Sequence, residues 1–200
     1  EFRRVLFRST TREDTAAQVT LDVSDPDTPA AALSVTASSS DPGVIADADL
    51  VVSGAGAQRT LTMTPRPDAH GTAQITATVS DGTNIAQRTF GLEVTPVNDP
   101  PSFAPGGDVT VDEDSGPAQI DWASGISSGP PDESGQSLAF EVSSDNAGLF
   151  AQPPALDASG RLTFTPAPGA SGRAMVTVTL RDSGGTADGG VDTSAPETFV

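Results

Sequence analysis

Leu61–Asp81 reads LTMTPRPDAHGTAQITATVSD, and sliding the chain by 101 positions lays it without a gap on Leu162–Asp182, LTFTPAPGASGRAMVTVTLRD. Eleven of the 21 aligned positions are identical. Within the first copy Ala73, Ile75, Ala77 and Val79 alternate with Gln74, Thr76, Thr78 and Ser80. Successive side chains of a strand point to opposite faces, so this alternation predicts a strand buried on one face and wet on the other. The duplication predicts that strand twice, in two units of one design, because the period is that of a small domain and too long for a solenoid.

Outward from the first copy, the same signal recurs in short pieces. Val19, Leu21 and Val23 alternate with polar neighbours until Asp25-Pro26-Asp27 stops the run. Leu33 and Val35, Val51-Val52, and Leu61 with Met63 follow, each closed by Gly, Pro, Ser or Asp, and Phe90, Leu92 and Val94 share the face of a last strand. Six or seven short strands with turn residues between them in about 90 residues predict an antiparallel β-sandwich. The expectation is an all-β chain: a first sandwich at residues 10–95, a proline-rich linker at 96–108 with Pro96, Pro100, Pro101 and Pro105, and a second sandwich at 109–200. Proline fixes φ and restrains the residue before it, so such a linker is extended and stiff.

Two ends of this plan are expected to be incomplete. Residues 1–9, EFRRVLFRS, hold three of the ten Arg and have no counterpart in the second copy. Arg3–Ser9 resembles the translation of a common sequencing-adaptor sequence, so the segment is set apart as foreign to the fold; the alternative is a short basic strand. On the first view the first unit lacks its opening strand, which the second keeps as Val109-Thr110-Val111. The second unit reaches Val200 in what should be the middle of its last strand.

Composition narrows the function classes. There are 27 acidic residues against 10 basic, a net charge of −17, and the acids are mostly Asp. Such a charge disfavours nucleic acid and anionic membrane surfaces as partners and favours divalent cations. No cysteine is present, which excludes disulfides and thiolate metal sites. No apolar run approaches the roughly 18 residues of a membrane span. His70, the single histidine, lies in a turn between Pro67 and Gly71, so no Ser/His/Asp arrangement recurs in both units and no enzyme activity is expected. Asp112-x-Asp114-x-Gly116 opens like a helix-flanked calcium loop but reaches Ala123 where a bidentate Glu is needed. The glycine-rich Gly184–Gly190 occurs once and predicts a flexible hairpin loop.

Val97-Asn98-Asp99-Pro100-Pro101 between the copies, Glu13-Asp14 and Glu113-Asp114 opening them, Val79-Ser80-Asp81-Gly82, and GPPDESGQSLAF (residues 129–140) carry a family resemblance. In order and spacing they resemble the tandem cadherin-like or immunoglobulin-like repeats of large bacterial surface and secreted proteins. The resemblance covers Thr11–Val200. It implies extracellular, non-catalytic spacer or adhesion modules whose partners are neighbouring repeats of the same chain and a cell-surface protein or glycan. A second class stays open: a carbohydrate- or ligand-binding accessory module of a secreted enzyme, with Trp122 and the loop after Asp182 as its platform.

Animal cadherins, a more distant likeness, hold calcium between successive domains. Carried over position by position, that implies ligands at Glu13, Asp68, Asn98 and Asp99, met by Asp132 and Asp182, while Asp25, Asp27 and Asp81 would face a preceding module and Glu113 a following one. Pro96 and Pro100 stand where the animal linker carries acid and amide side chains, and Pro130 and Gly169 replace Asp25 and Asp68 in the second copy. These departures predict one weakly held calcium or none; the other reading of the same acids is that they cap turns.

Overall fold

The computed structural model describes residues 8–200 in full and residues 2–4 by their backbone. Glu1 and residues 5–7, part of the stretch set apart as foreign, lie outside the described residues. The chain divides into two compact units, residues 1–97 and 98–200.

Unit 1 contains β1 (Phe2–Arg4), β2 (Arg8–Arg12), β3 (Ala17–Val23), β4 (Ser34–Ser39), β5 (Leu50–Ser53), β6 (Gln58–Met63), β7 (Gly71–Ser80) and β8 (Ile85–Thr95). They form two four-stranded sheets, β1-β3-β6-β5 and β2-β8-β7-β4. The inward faces are those that alternation marks: Val19, Leu21 and Val23 of β3, Leu61 and Met63 of β6, Ala73 to Val79 at every second position of β7, and Phe90, Leu92 and Val94 of β8. Each side chain meets the opposite sheet, and the polar neighbours stay outside. Val44 and Ile45, in a loop between strands, close one end of this core.

Arg59 is the exception on an inward face, 5% exposed. Its guanidinium donates to the carbonyls of Ala30, at 2.9 Å, Leu33 and Gly56, so a buried cation satisfies loop carbonyls that no strand reaches.

The opening strand expected to be missing from unit 1 is present. β2 runs parallel to β8, with Arg8 opposite Gly91 and Arg12 opposite Thr95. Its ladder is made by the backbone and its side chains alternate only between exposed and half-buried, so apolar patterning gave no sign of it. Unit 2 shows the converse: Val109-Thr110-Val111, expected as its opening strand, has no strand structure, although the Val109 N–H donates to the Val200 carbonyl at 2.9 Å.

Unit 2 contains β9 (Ser102–Ala104), β10 (Ala118–Asp121), β11 (Ser124–Ser127), β12 (Leu138–Ser144), β13 (Phe150–Leu156), β14 (Arg161–Pro166), β15 (Val176–Asp182) and β16 (Glu197–Phe199). The sheets are β10-β14-β13, β12-β15-β16 and the pair β11-β9. Residues 96–108, expected as a linker, thus contain β9, and Pro101 is buried. The core is smaller and more aromatic than that of unit 1: Trp122, Leu162, Phe164, Val176, Val178 and Phe199, with Phe103, Phe140 and Phe150 packed against them. Trp122 is 4% exposed, with its ring centroid 4.6 Å from that of Phe199, and its indole N–H donates to the Gly107 carbonyl at 3.0 Å. Trp122 is thus a core residue, and the sugar platform that the alternative accessory-module reading would place on it is not formed.

Candidate metal centre

At the Asn98 end of unit 2, three chain segments converge. The first is Asn98-Asp99. The second is the one-turn 3-10 helix Pro131–Glu133, started by Pro130-Pro131, whose fixed φ suits a helical first turn. The third is the end of β15 at Asp182 with the loop that follows it.

Asn98 ties these together. Its side-chain amide donates to Asp182 Oδ1 at 3.0 Å and to the Val191 carbonyl at 2.7 Å, and its Oδ1 accepts from Gln136 Nε2 at 2.7 Å. The Val191 N–H donates to the Asn98 carbonyl at 2.8 Å. The loop after Asp182 is therefore wrapped on Asn98, and is not the free hairpin that its glycines predict. A Cβ on Gly184 would stand 1.6 Å from Asn98 Oδ1, so glycine is required there for close approach. Asp192 anchors the returning limb through Arg181 at 2.8 Å, and the hydrogen bonds from Thr193 and Arg181 hold its carboxyl below the usual range.

Two carboxylates are sunk in this cluster. Glu133 is 8% exposed and Asp182 6%. Glu133 Oε1 accepts the Asp99 N–H at 2.9 Å, and Asp182 Oδ1 accepts the Gly184 N–H at 2.8 Å as well as the Asn98 amide. Their second oxygens, Glu133 Oε2 and Asp182 Oδ2, are buried without a hydrogen-bond partner among the described residues, as is Gln136 Oε1. Burial pushes the Glu133 carboxyl above the usual range; the charges of Asp99, Asp132 and Asp182 push the same way, against the Asp99 N–H. Buried anionic oxygens left without donors are costly unless something positive meets them. Asp132 lies beside Glu133 on the exposed side of the turn.

The residue that reasoning from the sequence missed is Glu133. The resemblance names Asp132, one position away and exposed, whereas Glu133 is the buried carboxylate of the turn. Its neighbours in GPPDESGQ offered one signal, a Pro-Pro start to a short turn, but its carboxylate is held by the Asp99 N–H, from a segment distant in sequence.

The remaining expected residues lie elsewhere. Glu13, 4% exposed, belongs to the Val97 end of unit 1, where its Oε1 accepts the Val97 N–H and its Oε2 faces His70 Nδ1 at 3.9 Å. Asp68 has φ 55° and its N–H donates to Asp14 Oδ1 at 3.2 Å. The second copy repeats this turn with Gly169, φ 66°, whose N–H donates to Asp114 Oδ1 at 2.9 Å. The exchange of Asp68 for Gly169 thus preserves a left-handed turn that both residue types tolerate. Asp25 Oδ1 accepts the N–H groups of Asp27 and Thr28, and Asp81 Oδ1 those of Thr83 and Asn84. Both cap turns at the far end of unit 1, and the Asn84 and Thr83 donors lower the Asp81 carboxyl. Asp27 and Glu113 are exposed.

Asp157, in the β13–β14 turn, shows the energetic side of such caps. Its Oδ1 accepts the Ser159 hydroxyl at 2.6 Å, the Ser159 N–H at 2.8 Å and the Arg161 N–H at 3.1 Å, which lower its pKa, the hydroxyl most. A carboxyl lowered on folding stabilises the fold above its unfolded value, and that contribution disappears as pH falls through the folded value. Acid titration of the Asp157→Ala variant should accordingly show a shallower loss of unit 2 stability below pH about 4 than the parent. Parallel curves would mean that the turn gains nothing from the ionised form.

A family model described as a bacterial Ig domain matches residues 5–93 and again residues 98–194. No curated protein matches. Among solved structures, human protocadherin-24 EC1-2 in its form II crystal aligns over 100% of this chain and 94% of its own, with 17% identity and a TM-score of 0.52. The other crystal structure of that fragment gives 19% identity, the same coverage and a TM-score of 0.48. The titin domains z1z2, solved in complex with telethonin, align over 100% and 93% of the two chains, with 17% identity and a TM-score of 0.42.

Proposed function

Because the chain belongs to the bacterial Ig domain family, with one match in each unit, we propose that it serves as a pair of non-catalytic spacer and adhesion modules in an extracellular or surface protein. Calcium stiffens them, held at the Asn98 end of unit 2. The observation that carries the cation is the pair of buried carboxylates, Glu133 and Asp182, each with one oxygen unmatched by a donor. Calcium takes six to eight oxygen ligands, and carboxylates with a side-chain amide carbonyl are of that kind. The residues that would hold it are Glu133 and Asp182, with Gln136 Oε1; Asn98, engaged through both ends of its amide, positions Asp182 and Gln136. When bound, the ion supplies positive charge to oxygens that otherwise repel one another.

The stabilisation is a matter of mass action. Extracellular calcium modules bind at about 10⁻⁴ to 10⁻³ M, so about 10 mM calcium would add roughly 1.4–2.7 kcal/mol to the unit that holds it. Thermal unfolding of the 200-residue chain followed by Trp122 fluorescence reports unit 2 alone, since Trp122 is the single tryptophan. The midpoint should rise by several degrees between chelator and millimolar calcium and fall back when chelator is restored. An unmoved midpoint up to 10 mM would remove calcium from the proposal.

Spacer and ligand-binding modules differ in what they capture. The spacer reading expects a glycan array probed with the chain to stay silent. A reproducible signal for one sugar class would favour the accessory-module reading instead. Among the described residues no helix is long and apolar enough to cross a membrane.

A further inference from the structure

Ser183–Val191, the segment between Asp182 of β15 and the limb that returns to β16, begins and ends at one point. The Asp182 N–H donates to the Asp192 carbonyl at 3.0 Å and Arg181 bridges to Thr193, so the base is closed as in an Ω-loop. Beyond that base the segment has little to hold it. Four of its nine residues are glycine, and its one large apolar side chain, Val191, is 46% exposed instead of entering the core. A segment with few buried apolar contacts opens easily, so its order rests on polar bonds.

Those bonds meet at Asn98. The Val191 N–H donates to the Asn98 carbonyl at 2.8 Å, and the Val191 carbonyl accepts from the Asn98 amide at 2.7 Å. Gly184 lies against the end of the Asn98 side chain, and Gly190, which is buried, lies against its Cβ and backbone nitrogen. A Cβ on Gly190 would stand 3.0 Å from Asn98 Cβ, and one on Gly184 would overlap Asn98 Oδ1. The segment thus grips Asn98 between two glycines. Asp182 connects this grip to the cation cluster. Its Oδ1 accepts the Gly184 N–H at 2.8 Å and the Asn98 amide at 3.0 Å, while its Oδ2 is a buried oxygen without a donor among the described residues. One carboxylate therefore holds the loop with one oxygen and belongs to the cluster through the other.

Resting on the cation reading given above, we propose that Ser183–Val191 is a clasp governed by the ion, shut on Asn98 when the Glu133–Asp182 cluster holds calcium and released when it does not. With no positive charge beside it, the buried Asp182 carboxylate regains solvation by turning outward. Turning breaks the bonds that its other oxygen makes to Gly184 and Asn98. Neutralised, the carboxylate keeps the position those bonds need. The coupling is reciprocal: the factor by which calcium favours the shut clasp is the factor by which the shut clasp tightens calcium binding. The cluster thereby sets whether a glycine-rich surface loop is held or free.

The test follows amide hydrogen exchange at Gly184 and Val191 in the 200-residue chain, in chelator and in about 10 mM calcium, beside calorimetric calcium binding. In the parent, exchange at both amides should slow by about tenfold or more on adding calcium. Gly184→Ala, which keeps both cluster carboxylates, should lose that slowing and bind calcium more weakly by a similar factor. Gly190→Ala, the milder obstruction, should shift both quantities the same way by less, and Trp122 fluorescence in chelator checks that each variant is folded. Calcium binding with unchanged exchange at Gly184 and Val191, or parent affinity in both variants, would overturn the clasp and leave the cation site standing. A parent that binds no calcium would overturn both.

Discussion

Glu133→Gln makes ion-free unit 2 more stable and calcium-blind. The substitution keeps the oxygen that accepts the Asp99 N–H and removes a buried charge that faces Asp99, Asp132 and Asp182. A carboxyl whose pKa is raised on folding costs the native state about 1.4 kcal/mol at neutral pH for each pH unit of the rise, and the amide escapes that cost. In chelator the variant should melt above the parent. In about 10 mM calcium the parent should gain roughly 1.4–2.7 kcal/mol and the variant little, so the difference between them shrinks or reverses. A purely structural Glu133, making one backbone hydrogen bond and nothing else, would leave the variant and parent offset by the same amount in both buffers.

The second large effect is expected at Trp122. Its side chain touches the aromatic group that holds the sheets of unit 2 together, and truncating a buried Trp to Ala costs about 3–5 kcal/mol. Domains of this size are stable by only about 5–15 kcal/mol, so Trp122→Ala should unfold unit 2 at temperatures where the parent is native. It also leaves the Gly107 carbonyl without its donor. Far-ultraviolet circular dichroism should show an early transition of about half the total amplitude, from unit 2, with the later transition of unit 1 retained. If the variant melts with the parent, the ring contributes little to the core, and the assignment of Trp122 to packing fails.

What the sequence discloses follows from what is local. The alternation at Ala73–Ser80 and the copy at Val176–Asp182 locate β7 and β15 and the faces they bury, since a strand buried on one side writes a period of two. β2 was foreshadowed only by the alternative of a short basic strand at residues 1–9, because it pairs through backbone atoms, which leave no apolar signature. Glu133 escaped notice for a different reason. One residue of a short turn is buried where its carboxylate meets the Asp99 N–H and Gly129, and no local pattern encodes that convergence. Asp25 and Asp81 illustrate a third limit, since an Asp that caps a turn and one that binds an ion share a sequence preference. Only the donors around each carboxylate separate them: Asp81 Oδ1 accepts two N–H groups and its Oδ2 the Asn84 amide, whereas Asp182 keeps a buried oxygen without one.

The same distinction explains why the first copy is a poor guide to the second. The repeat preserves the Asp14–Asp68 turn as Asp114–Gly169, with its left-handed residue and its hydrogen bond, while the carboxylate itself is lost. Backbone geometry is retained where the fold needs it, while the side chain at the left-handed position changes from Asp68 to Gly169.

Calorimetric titration of calcium into the 200-residue chain and into its Asp182→Asn variant bears most directly on the cation cluster. The buried carboxylates predict saturable binding in the parent, at a dissociation constant of about 10⁻⁴ to 10⁻³ M, that weakens by about tenfold or more in the variant. Equal binding by the two chains, or no saturable heat from the parent up to 10 mM calcium, would contradict it.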